Sequence, residues 1–118
     1  MAYIIPGRIR WRLRRGDAIN ESVLVEDYDL AGKQVAMDVR EDPDAAAVLR
    51  FSSEDGSIVI APHGDDWMLT FVKTSLEMKV PEGNYRFDIE AYTTDYDTQT
   101  FGEGEMTIAP EFTRRKDI

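Results

Sequence analysis

Short runs in which apolar and polar residues alternate one by one constrain the fold of this chain more than any other feature. The segment Ile9 to Leu13 is the clearest, with arginines at positions 10 and 12 between apolar neighbours. Successive side chains of a β-strand point to opposite faces, so this period of two fits a strand with one buried face. Similar runs recur along the chain, and they predict a protein built from short strands.

Turn residues separate nearly all of these runs, which sets the expected architecture. The predicted strands are 9–13, 22–27, 35–40, 48–52, 57–61, 67–72, 76–80, 85–92 and 106–108. The predicted turns are 29–32, 41–44, 55–56, 62–66, 81–83 and 102–104. Residues 42–49 could form one helical turn at most. Strand signals at this spacing favour an all-β, antiparallel sandwich of seven to nine short strands over alternating strands and helices.

The length of 118 residues, or 13.5 kDa, fits a single domain spanning 1–118. About two-thirds of the unfolded surface can be buried at this size without disulfides, and the chain has no cysteine. Its N-terminus lacks a signal-peptide pattern, and no apolar run could span a bilayer, so we expect a soluble protein used without Sec export. The predicted core is Trp11, Leu13, Val23, Val25, Val35, Met37, Val39, Leu49, Ile58, Ile60, Leu69, Phe71, Tyr85, Phe87, Ile89 and Ile108.

A tyrosine corner is predicted where a turn containing Gly83 leads into the alternating run that begins at Tyr85. In sandwiches of the immunoglobulin type, such a tyrosine packs its ring in the core and hydrogen-bonds back to the turn. Phe87 stands where antibody domains carry their second core cysteine. The pattern therefore predicts an immunoglobulin-like sandwich that is stabilised by packing alone.

Charge is distributed unevenly along the chain. The net charge is −9, with 23 acidic and 14 basic residues, which disfavours binding to nucleic acid or to anionic membranes. The basic residues concentrate near the two ends, and we predict that these bind partners: Arg8, Arg10, Arg12, Arg14, Arg15, Arg114, Arg115 and Lys116. Basic ends on an acidic body suit docking on other acidic surfaces, including copies of the same chain. They could equally serve only to offset the negative middle.

The arginines at positions 8, 10, 12 and 14 would form a ladder on one face of a strand, about 7 Å apart. Like charges so close need carboxylates nearby. Two interpretations stay open: the ladder pairs with this domain's own acidic strands, such as the one carrying Asp88 and Glu90, or it binds a partner. Stacking on single-stranded nucleic acid is a third interpretation, which the overall charge opposes.

No residue pattern points to catalysis or to a cofactor. His63 is the only histidine, and no nucleophile elbow or phosphate-binding loop is present. Pairs of aspartates in turns give a weak calcium signal, with Asp95 and Asp97, or His63 and Asp65, as the first places to look. The sequence therefore predicts a protein that is not an enzyme and holds no metal or cofactor.

Four segments together resemble a known family. They are Trp-Arg-Leu-Arg-Arg-Gly-Asp at 11–17, Leu-Ala-Gly at 30–32, Pro-Glu-Gly-Asn-Tyr-Arg-Phe-Asp-Ile-Glu at 81–90 and the end of the chain at 104–114. In this combination the chain resembles small immunoglobulin-like proteins of tailed bacteriophages and prophages that are associated with the tail or baseplate. Residues 61–73 do not match that pattern.

The resemblance implies a non-enzymatic structural protein of the virion, an adaptor or decoration component near the tail or baseplate. Its partners would be other virion proteins, including copies of itself, with no nucleic acid and no membrane. It would be assembled into particles in the cytoplasm of a bacterial host. The alternative is a carbohydrate- or calcium-binding sandwich module, in which Trp67, Tyr92 and Tyr96 would stack on sugar rings.

Overall fold

The alternating runs fold into the strands of a β-sandwich. A computed structural model describes residues 8–94 and 97–113, and it contains eight strands and no helix within those residues. The strands are β1 (Ile9–Arg14), β2 (Ile19–Val25), β3 (Gln34–Arg40), β4 (Leu49–Ser52), β5 (Ile58–His63), β6 (Asp66–Lys73), β7 (Gly83–Tyr92) and β8 (Thr98–Ala109). The prediction of an all-β sandwich with seven to nine short strands is confirmed.

Two sheets form the layers of the sandwich. The five-stranded sheet has the order β1-β8-β7-β3-β4, and the three-stranded sheet has the order β2-β6-β5. Neighbouring strands run antiparallel in both sheets, except that β1 runs parallel to β8. This pairing places the first strand of the chain at one edge of the larger sheet.

The core contains large apolar side chains from both sheets. The largest fully buried ones are Tyr85, Phe51, Phe71, Phe101, Ile19, Leu30, Met37, Ile58, Leu69, Met78, Ile89 and Met106. Of the predicted core, Trp11, Leu13, Val23 and Ile60 are only partly buried and pack against its rim. The other predicted core residues are buried.

The predicted tyrosine corner is present. The Tyr85 hydroxyl donates a hydrogen bond of 2.6 Å to the carbonyl oxygen of Pro81, and the residue is 2% exposed. Burial raises the pKa of this phenol, because the charged form would lose hydration. The hydrogen bond joins the start of β7 to the preceding turn, as the sequence pattern predicts.

The strand predicted at 76–80 is wrong, because this segment is a turn. Thr74 and Glu77 exchange hydrogen bonds: the Thr74 amide donates to Glu77 Oε1, and the Glu77 amide donates to Thr74 Oγ1. This is the reciprocal pattern of a capping box, and it lowers the pKa of Glu77. The backbone then bends so that the amide of Met78 donates to the Thr74 carbonyl and the Met78 side chain enters the core.

The turn predicted at 102–104 is also wrong, because these residues lie inside β8. A Cβ built on Gly104 would overlap the carbonyl oxygen of Ile9 and would lie 2.6 Å from Cζ of Phe87. Glycine is needed at this position because β1 and the core both approach the backbone closely, and not because the chain reverses. The same strand carries a β-bulge, in which Phe101 is the extra residue and stacks on Tyr28.

Candidate docking face

The outer face of the five-stranded sheet gathers most of the arginines in the described residues. Alternate residues of each strand point outward, and they include seven arginines and five carboxylates: Arg8, Arg10, Arg12, Arg14, Arg40, Arg50, Arg86, Asp38, Asp88, Glu90, Glu103 and Glu105. We call these residues the arginine face. Within 8–94 and 97–113, Arg15 alone among the arginines lies outside it. In a chain with a net charge of −9, this face has an excess of positive charge.

β1 forms the edge of this face and carries the predicted arginine ladder. Its residues alternate between half-buried apolar side chains and exposed arginines, as the sequence predicts. The Trp11 ring packs edge-on against Phe71 at 5.2 Å and stacks on Phe87 at 5.5 Å between ring centroids. These contacts with the core hold the strand that displays the ladder.

Pairing within the sheet offsets the ladder only weakly. The strand beside β1 is β8, and Asp88 and Glu90 lie on the strand after it, β7. These two carboxylates are therefore not direct neighbours of the ladder. Glu105 is directly opposite Arg10, but the Arg10 Nε to Glu105 Oε2 distance is 3.9 Å and the Arg10 side chain is 76% exposed. No hydrogen bond or ion pair joins the side chain of Arg8 or Arg12 to any other residue that the structure describes. Pairing with the acidic residues of this domain therefore accounts for one long contact of the ladder, that between Arg10 and Glu105.

A row of three carboxylates crosses the middle of the arginine face. Glu103 on β8 is opposite Asp88 on β7, which is in turn opposite Asp38 on β3. Asp38 accepts hydrogen bonds from Arg40 at 3.0 Å and Arg50 at 2.9 Å. The bond to Asp38 is the main reason that the pKa of Arg50 is raised. The row therefore contains one carboxylate with two partners.

Asp88 and Glu103 differ from Asp38 in their surroundings. Among the described residues, the carboxylate of neither one forms a hydrogen bond or an ion pair. Both line a shallow groove of about 430 Å³ in the middle of the arginine face, together with Arg8 and Arg86. The groove therefore offers charges of both signs that the domain itself leaves without partners.

Arg15 differs from the ladder although it follows directly after β1. Its Nη1 donates to Glu111 Oε1 at 2.7 Å, and its Nε donates to the carbonyl oxygen of Val80 at 3.1 Å. Lys79 Nζ donates to the same Glu111 oxygen at 3.1 Å. These hydrogen bonds, first that from Lys79 and then that from Arg15, lower the pKa of Glu111. Arg15 therefore fixes the end of β1 to two neighbouring segments.

Of the remaining predicted partner-binding residues, the structure describes Arg14. Arg14 donates from Nη1 to the carbonyl oxygen of Pro110 at 3.0 Å, and its guanidinium lies 5.6 Å from the centre of the Phe112 ring. Arg14 is thus partly engaged within the domain, whereas Arg8, Arg10 and Arg12 remain displayed. The basic residues Arg114, Arg115 and Lys116 lie outside the described residues.

Trp67 and Tyr92, the two candidate sugar-binding residues that the structure describes, do not lie on one sheet. Trp67 is half-buried on the three-stranded sheet, whereas Tyr92 lies on the other sheet and donates a hydrogen bond of 2.6 Å to Glu54. Tyr96 and Asp95 lie outside the described residues. Within the described part of the chain, no three His, Asp or Glu side chains are grouped so that they could hold a metal ion.

Several members of the arginine face were not predicted as site residues. Apolar and polar residues alternate in the runs 35–40 and 85–92, and this pattern places Arg40 and Arg86 on the polar side of a strand. Only the strand order, however, brings these two residues and Arg50 beside the ladder. Glu111 carries no sequence signal, since its role depends on contacts with residues 32 and 96 positions away.

No protein-family model matches the chain, and no curated protein matches its sequence. Among the described residues there is no helix long and apolar enough to cross a membrane. The fold and the charge arrangement of the arginine face are therefore the observations from which a function can be argued.

Proposed function

We propose that this protein is a docking module that binds an acidic protein surface through the arginine ladder of β1. The observation that carries the proposal is the display of Arg10 and Arg12 on β1, a strand held by core contacts, and of Arg8 directly before it. Of these three side chains, only Arg10 has an ion contact with a described residue, the long one to Glu105. Arginine is enriched at protein interfaces, and its planar guanidinium can bind a carboxylate through two parallel hydrogen bonds.

The spacing of the ladder makes a partner favourable. Guanidiniums on one face of a strand lie about 7 Å apart, a distance at which like charges repel each other appreciably near a protein surface. Carboxylates of a partner would replace this repulsion by attraction, and they would also fix the orientation of the two surfaces. The ladder is therefore better explained as one half of an interface than as a free surface.

Within this class, the particular role we propose is an adaptor or decoration protein of a tailed-phage particle, near the tail or baseplate. The resemblance of segments 11–17, 30–32, 81–90 and 104–114 in combination supports it. The strand orders β2-β6-β5 and β8-β7-β3-β4 also support an immunoglobulin-like domain, whose two sheets have such orders. In this role the protein acts without catalysis, binds other virion proteins, with copies of itself as the second candidate partner, and is assembled in the host cytoplasm.

The docking proposal can be tested by changing one positive charge at a time. We expect Arg12→Gln to weaken binding to immobilised poly-L-glutamate about fivefold at low salt, since one guanidinium–carboxylate pair contributes about 1 kcal/mol. Lys33→Gln is the matched control, because it removes the same charge from a residue that lies over the Tyr28 ring and outside the arginine face. Equal weakening by both variants would contradict docking through the ladder.

The phage assignment needs a separate observation. We expect genes for capsid, portal or tail proteins to flank the gene for this chain, and we expect the protein to co-purify with assembled particles. A neighbourhood of metabolic genes together with absence from particles would contradict the assignment. The docking proposal would not be affected by that result.

A further inference from the structure

Within the described residues, the backbone edge of β1 that faces away from β8 has no partner strand, and it lies next to the arginine ladder. It is the terminal strand of the five-stranded sheet, and within residues 8–94 and 97–113 it pairs only with β8. An edge strand presents unpaired N–H and C=O groups to which another chain can add as a further strand. The edge is also preformed: Trp11 packs on the core, and the amide of Arg15 bonds to the Ala109 carbonyl at 2.8 Å.

The two faces of β1 specify what an added strand would carry. One face presents the arginines, and the other presents the half-buried side chains of Ile9, Trp11 and Leu13. Side chains of an added strand would alternate between the same two faces. Carboxylates on one face would meet the ladder, and apolar residues on the other would cover the exposed rim of the core.

β8 already provides such a strand on the other side of β1. Glu105 is opposite Arg10, while Met106 and Ile108 are opposite Trp11 and Leu13. Polar and apolar residues therefore alternate in β8, with Glu105 opposite Arg10 and Thr107 opposite Arg12. A partner strand with the same alternation, and with a carboxylate also opposite Arg12, would pair with more of the ladder on the other side of β1.

In a second copy of this chain, neither edge strand of the five-stranded sheet has the alternating acidic and apolar residues that would suit β1. Two β1 edges would place arginine ladders against each other, and the opposite edge, β4, carries Arg50 between two buried residues. Like charges opposite each other on neighbouring strands are destabilising. We therefore propose that β1 binds an extended segment of a different protein, in which acidic and apolar residues alternate, by adding it as a sixth strand to the sheet. This inference rests on the proposed docking function and specifies the form of its partner.

Synthetic peptides can separate strand addition from simple charge attraction. The probe is a capped heptapeptide of alternating glutamate and valine, titrated into the whole protein by calorimetry. One control has the same composition with the glutamates and valines in two blocks. Two further controls are alternating peptides N-methylated at the odd-numbered or the even-numbered amides, so that each lacks the N–H donors on one edge.

We expect the alternating peptide to bind at least about tenfold more tightly than the block peptide, which is about 1.4 kcal/mol. One of the two N-methylated peptides, but not the other, should lose that advantage, because only one edge of the added strand faces β1. Amides of Ile9–Arg14 that face the peptide should exchange hydrogen more slowly when it is bound. Arg12→Gln should weaken the alternating peptide about fivefold, and Lys33→Gln should not.

Equal binding of the alternating and block peptides, with no effect of N-methylation, would overturn strand addition while leaving docking through charge intact. Equal effects of Arg12→Gln and Lys33→Gln, or no binding of any acidic peptide, would overturn the docking function itself. Tight binding of the alternating peptide without protection of the β1 amides would place the binding elsewhere and would also overturn the inference.

Discussion

The outer faces of the two sheets differ in the number of charged side chains that they carry. The arginine face carries twelve charged side chains, whereas three of the four outward rows of the smaller sheet carry none and the fourth contains Asp66 opposite His63. The residues of the three uncharged rows are Asn20, Ser22, Leu24, Val59, Ala61, Met68, Thr70 and Val72. Val59 is 49% exposed and Val72 is 37% exposed, so the uncharged rows are in contact with solvent within this chain.

This difference shows that the charged side chains are concentrated on one face of the domain and are not distributed evenly over its surface. Charged residues are 31% of the chain, and an even coat would put several of them on the smaller sheet. The arginines instead collect on one face, where the alternation of five strands brings them side by side. A second level of difference lies within that face, between charges that are bonded, such as Asp38, and charges that are displayed, such as Asp88 and Arg12.

The largest expected effect comes from detaching the ladder from the rest of the arginine face. Gly104→Ala would push its methyl group into the Ile9 carbonyl and the Phe87 ring, so β1 or the core must move. We expect a loss of about 3 kcal/mol in the free energy of unfolding, measured by urea denaturation, the upper part of the usual range for overpacking. Faster hydrogen exchange in β1 than in β7 should accompany it.

Gly56→Ala is the control for this substitution. A Cβ at Gly56 has open space around it, so its cost is the backbone strain of φ +86° alone, about 1 kcal/mol. Equal losses for the two variants would mean that the approach of β1 to β8 is not what requires glycine at position 104.

The sequence predicted β1 and its ladder because a period of two is local information. The tyrosine corner was predicted for the same reason, since Tyr85 and its acceptor Pro81 are four residues apart. The segment 76–80 misled the prediction because Leu76, Met78 and Val80 also alternate. The exchange of hydrogen bonds between Thr74 and Glu77 decides its conformation instead.

The collection of charges into one face could not be predicted in this way. Arg50 reaches Asp38 because β4 pairs with β3, and Gly104 lies beside Ile9 because the last strand pairs with the first. The first pairing joins two consecutive strands, with Asp38 and Arg50 12 positions apart, and the second joins the first strand to the last. No local pattern specifies either the pairing or the order of strands in a sheet. The glycine at 104 was therefore interpreted as a turn residue, which is the commoner use of glycine in loops.

The second prediction concerns the bonded charges at the end of β1. The pKa of Glu111 is lowered, so its ionised form is stabilised in the folded protein; this contribution is present above the ordinary pKa of 4.5 and is lost as the pH falls through the lowered value. Glu111→Gln should lower the melting temperature by several degrees at neutral pH. Between about pH 5 and pH 3 the variant should lose less stability than the parent protein.

Glu82→Gln is the control for the acid-dependent effect, since Glu82 is exposed and makes no hydrogen bond or ion pair with another described residue. Thermal melting of the three proteins across the acid range measures the difference. Parallel curves for Glu111→Gln and the parent would show that the contacts of Arg15 and Lys79 with Glu111 do not stabilise the fold.

The third prediction compares a bonded carboxylate with a displayed one. Asp38→Asn weakens the bonds to Arg40 and Arg50 and should cost about 1 kcal/mol. Asp88→Asn removes a negative charge that lies between Asp38 and Glu103, and it should stabilise the domain by about 0.5 kcal/mol. Urea denaturation of both variants measures whether each substitution lowers or raises the free energy of unfolding. A loss in both would mean that Asp88 has a stabilising partner in solution.

The smallest expected effect tests the uncharged rows of the smaller sheet. Val72→Lys adds a positive charge at an exposed position of β6, and we expect the free energy of unfolding to change by less than about 0.5 kcal/mol. Because the new charge lies on the sheet opposite the ladder, we also expect the affinity for acidic peptides to stay the same. The variant changes net charge by one unit, as Arg12→Gln does in the other direction. If Val72→Lys strengthened peptide binding as much as Arg12→Gln weakened it, net charge and not the arrangement of the arginine face would control binding.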